Sequence, residues 1–316
     1  MRNFADQLTD RIAELKNPTV MGLDPRIEYI PDSIKDKYIK ELGNDPELAT
    51  AWSIYEFNMK LIDAVCDIVP AVKPQFAYYE MYGVQGIEVL KKTIAYAKRK
   101  GMLVIADAKR NDIGSTATAY AEGIIGATEL AGGAKQSMFC ADSVTVNGYL
   151  GIDGIKPFVD VCQRDGKGIF ALVRTSNPSA GDLQDLKLED GRTVYEAMAD
   201  KVNEWGKELI GDNGFSSVGA VVGATWPEQA VEIRKRMPEN LILVPGYGAQ
   251  GAGADAAVAS FTADGRGSIV NASRSLMCAW KKREDLSPDE FMTATRDEAL
   301  DMRDKLNNAL KDRKYV

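Results

Sequence analysis

The 316-residue chain contains no histidine. This absence removes the commonest general base, the usual imidazole ligand of transition metals and every nucleophile that histidine activates. The cysteines are few and scattered, at Cys66, Cys140, Cys162 and Cys278, and none forms a Cys-x-x-Cys pair. The sequence therefore predicts neither a zinc site nor a disulfide framework, and any catalysis must use lysine, arginine, carboxylate or backbone groups.

Long hydrophobic runs and an excess of positive charge are also absent. No run approaches the roughly 18 apolar residues of a membrane-spanning helix, and residues 1–15 have the pattern of an amphipathic, acid-bearing helix rather than a signal peptide. Lys and Arg number 39 against 46 Asp and Glu, a formal net charge of −7. We therefore expect a cytoplasmic protein that binds neither nucleic acid nor membrane and captures any anionic ligand in a local site.

Eight short apolar runs alternate with helix-like segments. The runs are residues 19–24, 68–74, 102–109, 143–147, 169–174, 218–225, 241–246 and 268–273. The helical patterns cover residues 47–66, 84–100, 115–131, 151–164, 193–210, 227–237, 255–261 and 288–311. This alternation predicts an α/β fold, a single (β/α)₈ TIM barrel with extra N- and C-terminal helices. No linker divides the chain, so we expect one domain over residues 1–316.

Polar residues stand where these predicted strands end, which is where TIM barrels build their active sites. They are Asp24, Lys73, Asp107, Lys109, Asn147, Arg174, Ser176, Thr225 and Arg274. Any single one could be a satisfied structural group, but their convergence at one end of a barrel favours a functional site.

The most specific cluster ends the third predicted strand, where residues 103–114 read LVIADAKRNDIG. Asp107 and Lys109 would project to the same face of an extended strand, and Asp112 follows beyond its end. An ammonium between carboxylates stays protonated and positioned, as a proton donor requires. A surface salt bridge at the strand end is the alternative explanation.

Glycines and a cation follow the last two predicted strands. The segment LVPGYGAQGAG contains Gly248, Gln250 and Gly251, and the segment NASRS adds Ser273 and Arg274. Phosphate sites in barrels recur after strands seven and eight, so we expect these residues to bind a phosphate.

A long polar stretch, residues 177–192, follows the fifth predicted strand. It is longer than an ordinary βα turn, and its position favours an active-site lid over an inert insertion.

Several motifs, in the same order, resemble those of the orotidine 5′-phosphate decarboxylase family, particularly its longer bacterial type 2 form. They span almost the whole chain and are MGLDPR, AVKPQFAYYE, VIADAKRNDIGSTATAY, VTVNGYLG, LVRTSNPSAG, VVGATWPEQ, LVPGYGAQGAG and NASRS. The resemblance implies an enzyme that converts orotidine 5′-monophosphate to UMP and carbon dioxide, the last step of de novo UMP synthesis. It also implies that no metal or organic cofactor takes part.

The resemblance assigns catalytic roles to four charged residues. Lys109 is implied to stabilise and protonate the C6 carbanion, and Asp107 to lie beside the substrate carboxylate. Lys73 is implied to bridge the sugar and the catalytic carboxylates. Asp112 is implied to cross to the neighbouring subunit's site, so the resemblance implies a homodimer with shared active sites.

The remaining implied residues contact the substrate. Asp24 would bond a ribose hydroxyl, Ser176 would contact the pyrimidine, and Gln250 and Arg274 would bind the phosphate. Ile113 and Thr116 accompany Asp112, and Asn147 joins the substrate-binding set at the barrel mouth. The lid differs in length and detail from that of shorter family members.

Three other functions are compatible with parts of this pattern. A metal-dependent sister group of sugar-phosphate decarboxylases and aldolases has a similar Asp-x-Lys-x-x-Asp motif, but Lys73 stands where those sites need an acid and would repel Mg²⁺. A non-catalytic phosphometabolite-binding barrel would not need Asp107, Lys109 and Asp112 intact. A Schiff-base aldolase would need a deprotonated lysine, whereas a lysine flanked by carboxylates keeps its proton.

Overall fold

The computed structural model describes residues 2–248 and 253–313. Eight parallel strands close into a barrel in which each strand pairs with its neighbours in chain order. The strands are β1 (Thr19–Leu23), β2 (Ala71–Pro74), β3 (Leu103–Arg110), β4 (Ser143–Val146), β5 (Gly168–Arg174), β6 (Ser216–Val222), β7 (Asn240–Val244) and β8 (Ser268–Ala272). The predicted TIM barrel is confirmed, and each predicted apolar run supplies one of its strands.

Helices follow the strands, and further helices lie at the two ends of the chain. They are α1 (Phe4–Leu15), α2 (Asp32–Leu42), α3 (Pro46–Val65), α4 (Ala77–Glu80), α5 (Gly83–Arg99), α6 (Gly114–Ile124), α7 (Ile152–Asp165), α8 (Gly181–Gln184), α9 (Val194–Gly206), α10 (Pro227–Arg236), α11 (Ala254–Ala257), α12 (Arg274–Met277) and α13 (Phe291–Asp312). Within residues 2–248 and 253–313, no helix combines the length and the apolar character needed to cross a bilayer.

Side chains along each barrel strand alternate between two buried surfaces. In β3, Ile105 belongs to the cluster inside the barrel, whereas Val104 and Ala106 belong to the cluster between barrel and helices. Both faces of the strands are therefore buried, which explains why they read as nearly continuous apolar runs. The same alternation directs Lys73 and Asp107 to the inside of the barrel, at its C-terminal mouth.

The first helix closes the opposite end of the barrel. Phe4 and Leu8 of α1 belong to the interior cluster, and the Phe4 ring meets the Phe170 ring edge to face with centroids 5.9 Å apart. The buried Asp6 carboxylate accepts the backbone N–H groups of Asp212 and Asn213 at 3.0 and 2.8 Å. The amphipathic pattern of residues 1–15 is thus explained by packing against the barrel floor.

The structure shortens one predicted helix. Residues 115–131 are predicted as a single helix, but α6 ends at Ile124, and Thr128–Glu129 pairs with Lys135–Gln136 as an antiparallel hairpin. Gly132 and Gly133, with φ of +89° and +82°, form the turn. Glycine suits this turn because it adopts left-handed backbone without a steric penalty.

Other differences are at element ends. Strand β2 begins at Ala71 rather than Ile68, because Ile68 and Val69 still donate to the last carbonyl of α3, that of Val65. Thr193 is the cap of α9 rather than its first residue, since its hydroxyl accepts the N–H of Glu196. The helix predicted over residues 255–261 is the single turn α11.

Candidate active site

The buried Asp107 carboxylate is the centre of a charged cluster at the barrel mouth. Lys73 Nζ donates to its Oδ2 at 2.5 Å, and Lys109 Nζ donates to its Oδ1 at 2.6 Å. The hydroxyl of Thr145 also donates to Oδ1, at 3.0 Å. Lys73 and Asp107 are only 4% and 6% exposed, so water screens their interaction weakly.

Opposite charges keep this cluster ionised. Burial alone would raise the pKa of Asp107, but the nearby charges of Lys73 and Lys109 outweigh it and hold that pKa far below its usual value. Burial would likewise lower the pKa of Lys73, but the charges of Asp107 and Asp24 and the hydrogen bond to Asp107 raise it. At neutral pH, Asp107 is an anion and Lys73 is an ammonium.

A bulge in β3 brings Lys109 to Asp107. Ala106 pairs with Val144 and Arg110 with Val146, so three residues of β3 lie opposite the single residue Thr145 of β4. Lys109 has a left-handed backbone with φ of +48°. The sequence predicts that Asp107 and Lys109 share a face through simple alternation; the side chains do meet, but by way of this bulge.

A cavity of about 380 Å³ opens above the cluster. Its walls include Asp24, Lys73, Asp107, Asn271, Ser273 and Arg274. Asp24 Oδ1 and Asn271 Oδ1 are buried and accept no hydrogen bond from the described residues. Buried oxygens of this kind can accept hydrogen bonds from the hydroxyl groups of a ligand.

The opposite side of the cavity carries the predicted phosphate site. β8 pairs with β1 so closely that a Cβ on Gly22 would lie 1.9 Å from Ser273 Oγ. Arg274 follows at the start of α12 and also lines an adjoining pocket. The other charged residues of that pocket are Lys281, Lys282, Lys305, Glu298 and Asp301, so cations outnumber acids there. Gly248, with φ of +71°, lies in that pocket, and Gln250 and Gly251 lie outside the described residues.

Several predicted residues lie near the mouth but are not among the described residues lining the 380 Å³ cavity. The Asp112 carboxylate accepts the N–H of Ile113 at 2.8 Å, and both Ile113 and Thr116 are exposed. Asn147 accepts the N–H of Tyr149 at 3.0 Å and so caps a short 3₁₀ helix. Ser176 packs on Gly223, where an added Cβ would lie 2.8 Å from the serine Cβ.

The predicted lid is tied to the barrel by Arg174. This side chain is 1% exposed and stacks over the Trp226 ring, with its guanidinium carbon 4.4 Å from the ring centroid. It donates to Gln184 and Asp185 at 3.3 and 3.2 Å. Arg174 therefore anchors the middle of segment 177–192 to the barrel near Ser176. The closure of this segment over a substrate stays a prediction.

Sequence reasoning missed Thr145, which touches both Asp107 and the backbone of Lys109. The signal in the sequence is weak: Thr145 is a hydroxyl residue at an inward position of β4, whose outward residues Val144 and Val146 are apolar. Ser143 carries the same signal two residues earlier, yet its buried hydroxyl has no hydrogen-bond partner among the described residues. Only the register of β3 against β4 distinguishes Thr145, which lies opposite the bulge, from Ser143, which pairs with Ile105.

Comparison with known proteins identifies the family of this chain. A family model described as orotidine 5′-phosphate decarboxylase / HUMPS matches residues 21–287. An orotidine 5′-phosphate decarboxylase of Rhodopirellula baltica is 44% identical over 97% of this chain and 99% of its own, and one of Caldicellulosiruptor bescii is 45% identical over 89% and 91%. The solved OMP decarboxylase of Leishmania donovani has a TM-score of 0.74 and 30% identity, covering 98% of this chain and 99% of that one. The chain thus belongs to the orotidine 5′-phosphate decarboxylase / HUMPS family.

Proposed function

We propose that this protein removes the C6 carboxylate of orotidine 5′-monophosphate to give UMP and carbon dioxide, with Lys109 as the proton donor. The observation that carries the proposal is the placement of Asp107 between two ammonium groups, 2.5 Å from Lys73 and 2.6 Å from Lys109, beside a cavity with a cationic far side. The identity of the substrate is inferred from membership of the family.

The chemistry suits a chain without histidine. The bond from C6 to the carboxylate breaks, carbon dioxide leaves, and the electron pair stays on C6 as a localised and strongly basic carbanion. An ammonium with an ordinary pKa of about 10 is acidic enough to protonate such a carbon. Lys109 stabilises the developing negative charge and then transfers its proton to C6, and solvent restores the proton.

Asp107 has two tasks in this proposal. As an anion it holds both ammonium groups in place. In the substrate complex its negative charge also repels the carboxylate on C6, and that repulsion ends when neutral carbon dioxide departs.

The substrate-binding roles divide between the two sides of the cavity. Asp24, whose buried Oδ1 has no hydrogen-bond partner among the described residues, accepts a hydrogen bond from a ribose hydroxyl. Ser273, Arg274, Gly248, Gln250 and Gly251 bind the phosphate, whose remote contacts orient the reacting ring. Ser176 and Asn147 contact the pyrimidine side, and residues 177–192 close over it.

A homodimer with shared sites completes the proposal. A Cβ placed on Gly154 would lie 3.0 Å from the Asp112 carbonyl and 3.4 Å from Leu150, so these segments meet at one surface. Ile113, Tyr149, Leu150 and Ile152 there are 53%, 74%, 43% and 49% exposed. A cluster of exposed apolar side chains beside Asp112 is suited to a second copy of the chain, whose site would receive Asp112, Ile113 and Thr116.

We also propose a single-domain cytoplasmic enzyme that uses no cofactor or metal and binds neither nucleic acid nor membrane. Its net charge of −7 and its local cationic pocket support this assignment. The sugar-phosphate branch of the family would use Mg²⁺, but Lys73 places an ammonium inside the cavity, where a divalent cation would be repelled.

The test is absorbance-monitored turnover of orotidine 5′-monophosphate by the purified protein. The wild type and the surface variant Lys156→Ala are expected to yield UMP, whereas Lys109→Ala is expected to be nearly inactive. Lys156 pairs with Asp160 on an exposed face of α7, so it controls for the loss of a lysine. No turnover by the wild type, or turnover only of a sugar phosphate with Mg²⁺, would contradict the proposal.

A further inference from the structure

The hydroxyl of Thr145 makes every hydrogen bond that a hydroxyl can make, and all of them go to the catalytic segment of β3. Its oxygen accepts the N–H of Ala108 at 3.1 Å and the N–H of Lys109 at 3.0 Å. A hydroxyl has two acceptor sites and one proton. With both acceptor sites used, the proton is directed to Asp107 Oδ1, 3.0 Å away.

This arrangement lies where β3 departs from regular pairing. Residues 107–109 lie opposite Thr145 alone, so the N–H groups of Ala108 and Lys109 cannot join an ordinary strand ladder there. The backbone of Lys109 is left-handed, a conformation that disfavours a residue with a side chain and that surrounding contacts must maintain. The Thr145 hydroxyl supplies two of those contacts from the neighbouring strand.

We propose that Thr145 is a positioning residue, which fixes the Lys109 backbone and the Asp107 carboxylate in one rigid unit so that the Lys109 ammonium is aligned for proton transfer. The inference rests on the proposed decarboxylation and adds a residue to it. Thr145 is 1% exposed, so water does not compete for its hydrogen bonds. Lys109, in contrast, has a side chain that is 46% exposed, and its direction depends on how its backbone is held.

Ser143 provides a matched control on the same strand. It is two residues earlier, equally buried, and its hydroxyl has no hydrogen-bond partner among the described residues. If a hydroxyl on β4 mattered only for packing, Ser143→Ala and Thr145→Val would have similar effects. If positioning matters, only the Thr145 variant changes the reaction.

The experiment compares Thr145→Val, Thr145→Ser and Ser143→Ala with the wild type. Thr145→Val keeps the shape of the side chain and removes the hydroxyl, so kcat should fall about 10- to 150-fold. Thr145→Ser restores the hydroxyl and should recover most of kcat, and Ser143→Ala should match the wild type. The dissociation constant for UMP should stay within about threefold in every variant, because the phosphate and ribose groups bind on other strands.

Unaltered kcat in Thr145→Val, equal losses in Thr145→Val and Thr145→Ser, or an equal loss in Ser143→Ala would overturn the inference. If Thr145→Val does not fold, Thr145→Cys replaces it, since a thiol is small and bonds only weakly. Thr145→Cys should then have a low kcat, whereas Thr145→Ser should keep most of the wild-type kcat. A wild-type protein that fails to decarboxylate the nucleotide would instead refute the proposed function, so the two failures are distinct.

Discussion

Lys73 Nζ lies 2.5 Å from Asp107 Oδ2, and the two side chains come from neighbouring strands and are both buried. The pKa of Asp107 is depressed, so its contribution to stability is present above the unfolded value of about 3.9 and is lost as the pH falls through the folded value. The pKa of Lys73 is raised, so its contribution is present below about 10.4 and is lost as the pH rises through the folded value. The pair therefore stabilises the fold across the whole neutral range.

The first prediction concerns Lys73→Met, which leaves Asp107 buried beside fewer positive charges. We expect the free energy of unfolding at pH 7 to fall by about 2–4 kcal/mol. The difference from the wild type should be constant between about pH 5 and pH 9 and should shrink toward pH 3 and above about pH 10.5. Denaturant unfolding at several pH values measures it.

Lys156→Met is the control for that experiment. Lys156 and Asp160 form an exposed pair at 2.6 Å, so its loss should change stability by less than about 0.5 kcal/mol at any pH. A Lys73→Met penalty that is the same at pH 3 and pH 7 would show that the pair does not control stability through its charges.

The second prediction concerns metal removal. Because β2 places the ammonium of Lys73, rather than an acid, inside the cavity, decarboxylation should continue at an unchanged rate in excess EDTA. The assay compares dialysed, chelated and Mg²⁺-supplemented enzyme. Activity that is lost on chelation and restored by Mg²⁺ would place the protein in the metal-dependent branch.

The third prediction concerns the phosphate. Arg274→Ala should lower kcat/KM for the nucleotide by about 10- to 150-fold, since a charged hydrogen bond to phosphate is lost. The same change should leave turnover of the nucleoside, which has no phosphate, almost unaltered. Arg303→Ala on α13, where Arg303 pairs with the exposed Asp304, controls for loss of charge. Equal losses with both substrates would give Arg274 a structural role.

The fourth prediction tests the shared site. Lys109→Ala and Asp112→Ala should each be nearly inactive, but after mixing and subunit exchange each heterodimer contains one site with both groups intact. Random exchange makes about half the dimers heterodimers, so about a quarter of all sites should recover. Native mass spectrometry checks the exchange. A fully exchanged mixture that stays as inactive as its parents would place Asp112 within its own subunit's site or outside catalysis.

The barrel could be predicted from the sequence because its strands are buried on both faces and read as apolar runs. Lys73, Asp107 and Arg274 could be singled out because a charge at the end of such a run has no place in a hydrophobic core. These features are local, since a strand and its last residue occupy one short window of sequence.

The parts that could not be predicted depend on which strand lies beside which, and in what register. The role of Thr145 depends on the three residues of β3 that lie opposite it, and this register is not visible in the sequence. Arg174 reads as one more residue at a strand end, yet its stacking on Trp226 and its bonds to Gln184 and Asp185 join three segments. No local pattern encodes such contacts, because each partner's position is set by the closed barrel.

The contact between α1 and the barrel floor constrains the order of folding during synthesis. The bond that the Asn213 N–H donates to Asp6 joins residues 207 positions apart. Because synthesis proceeds from the N-terminus, α1 leaves the ribosome before Asn213, and this bond cannot form until Asn213 has been made. Until then Phe4 and Leu8 of α1 have no finished barrel floor to pack against, so the apolar face of α1 stays uncovered while the first five of the eight strands are made.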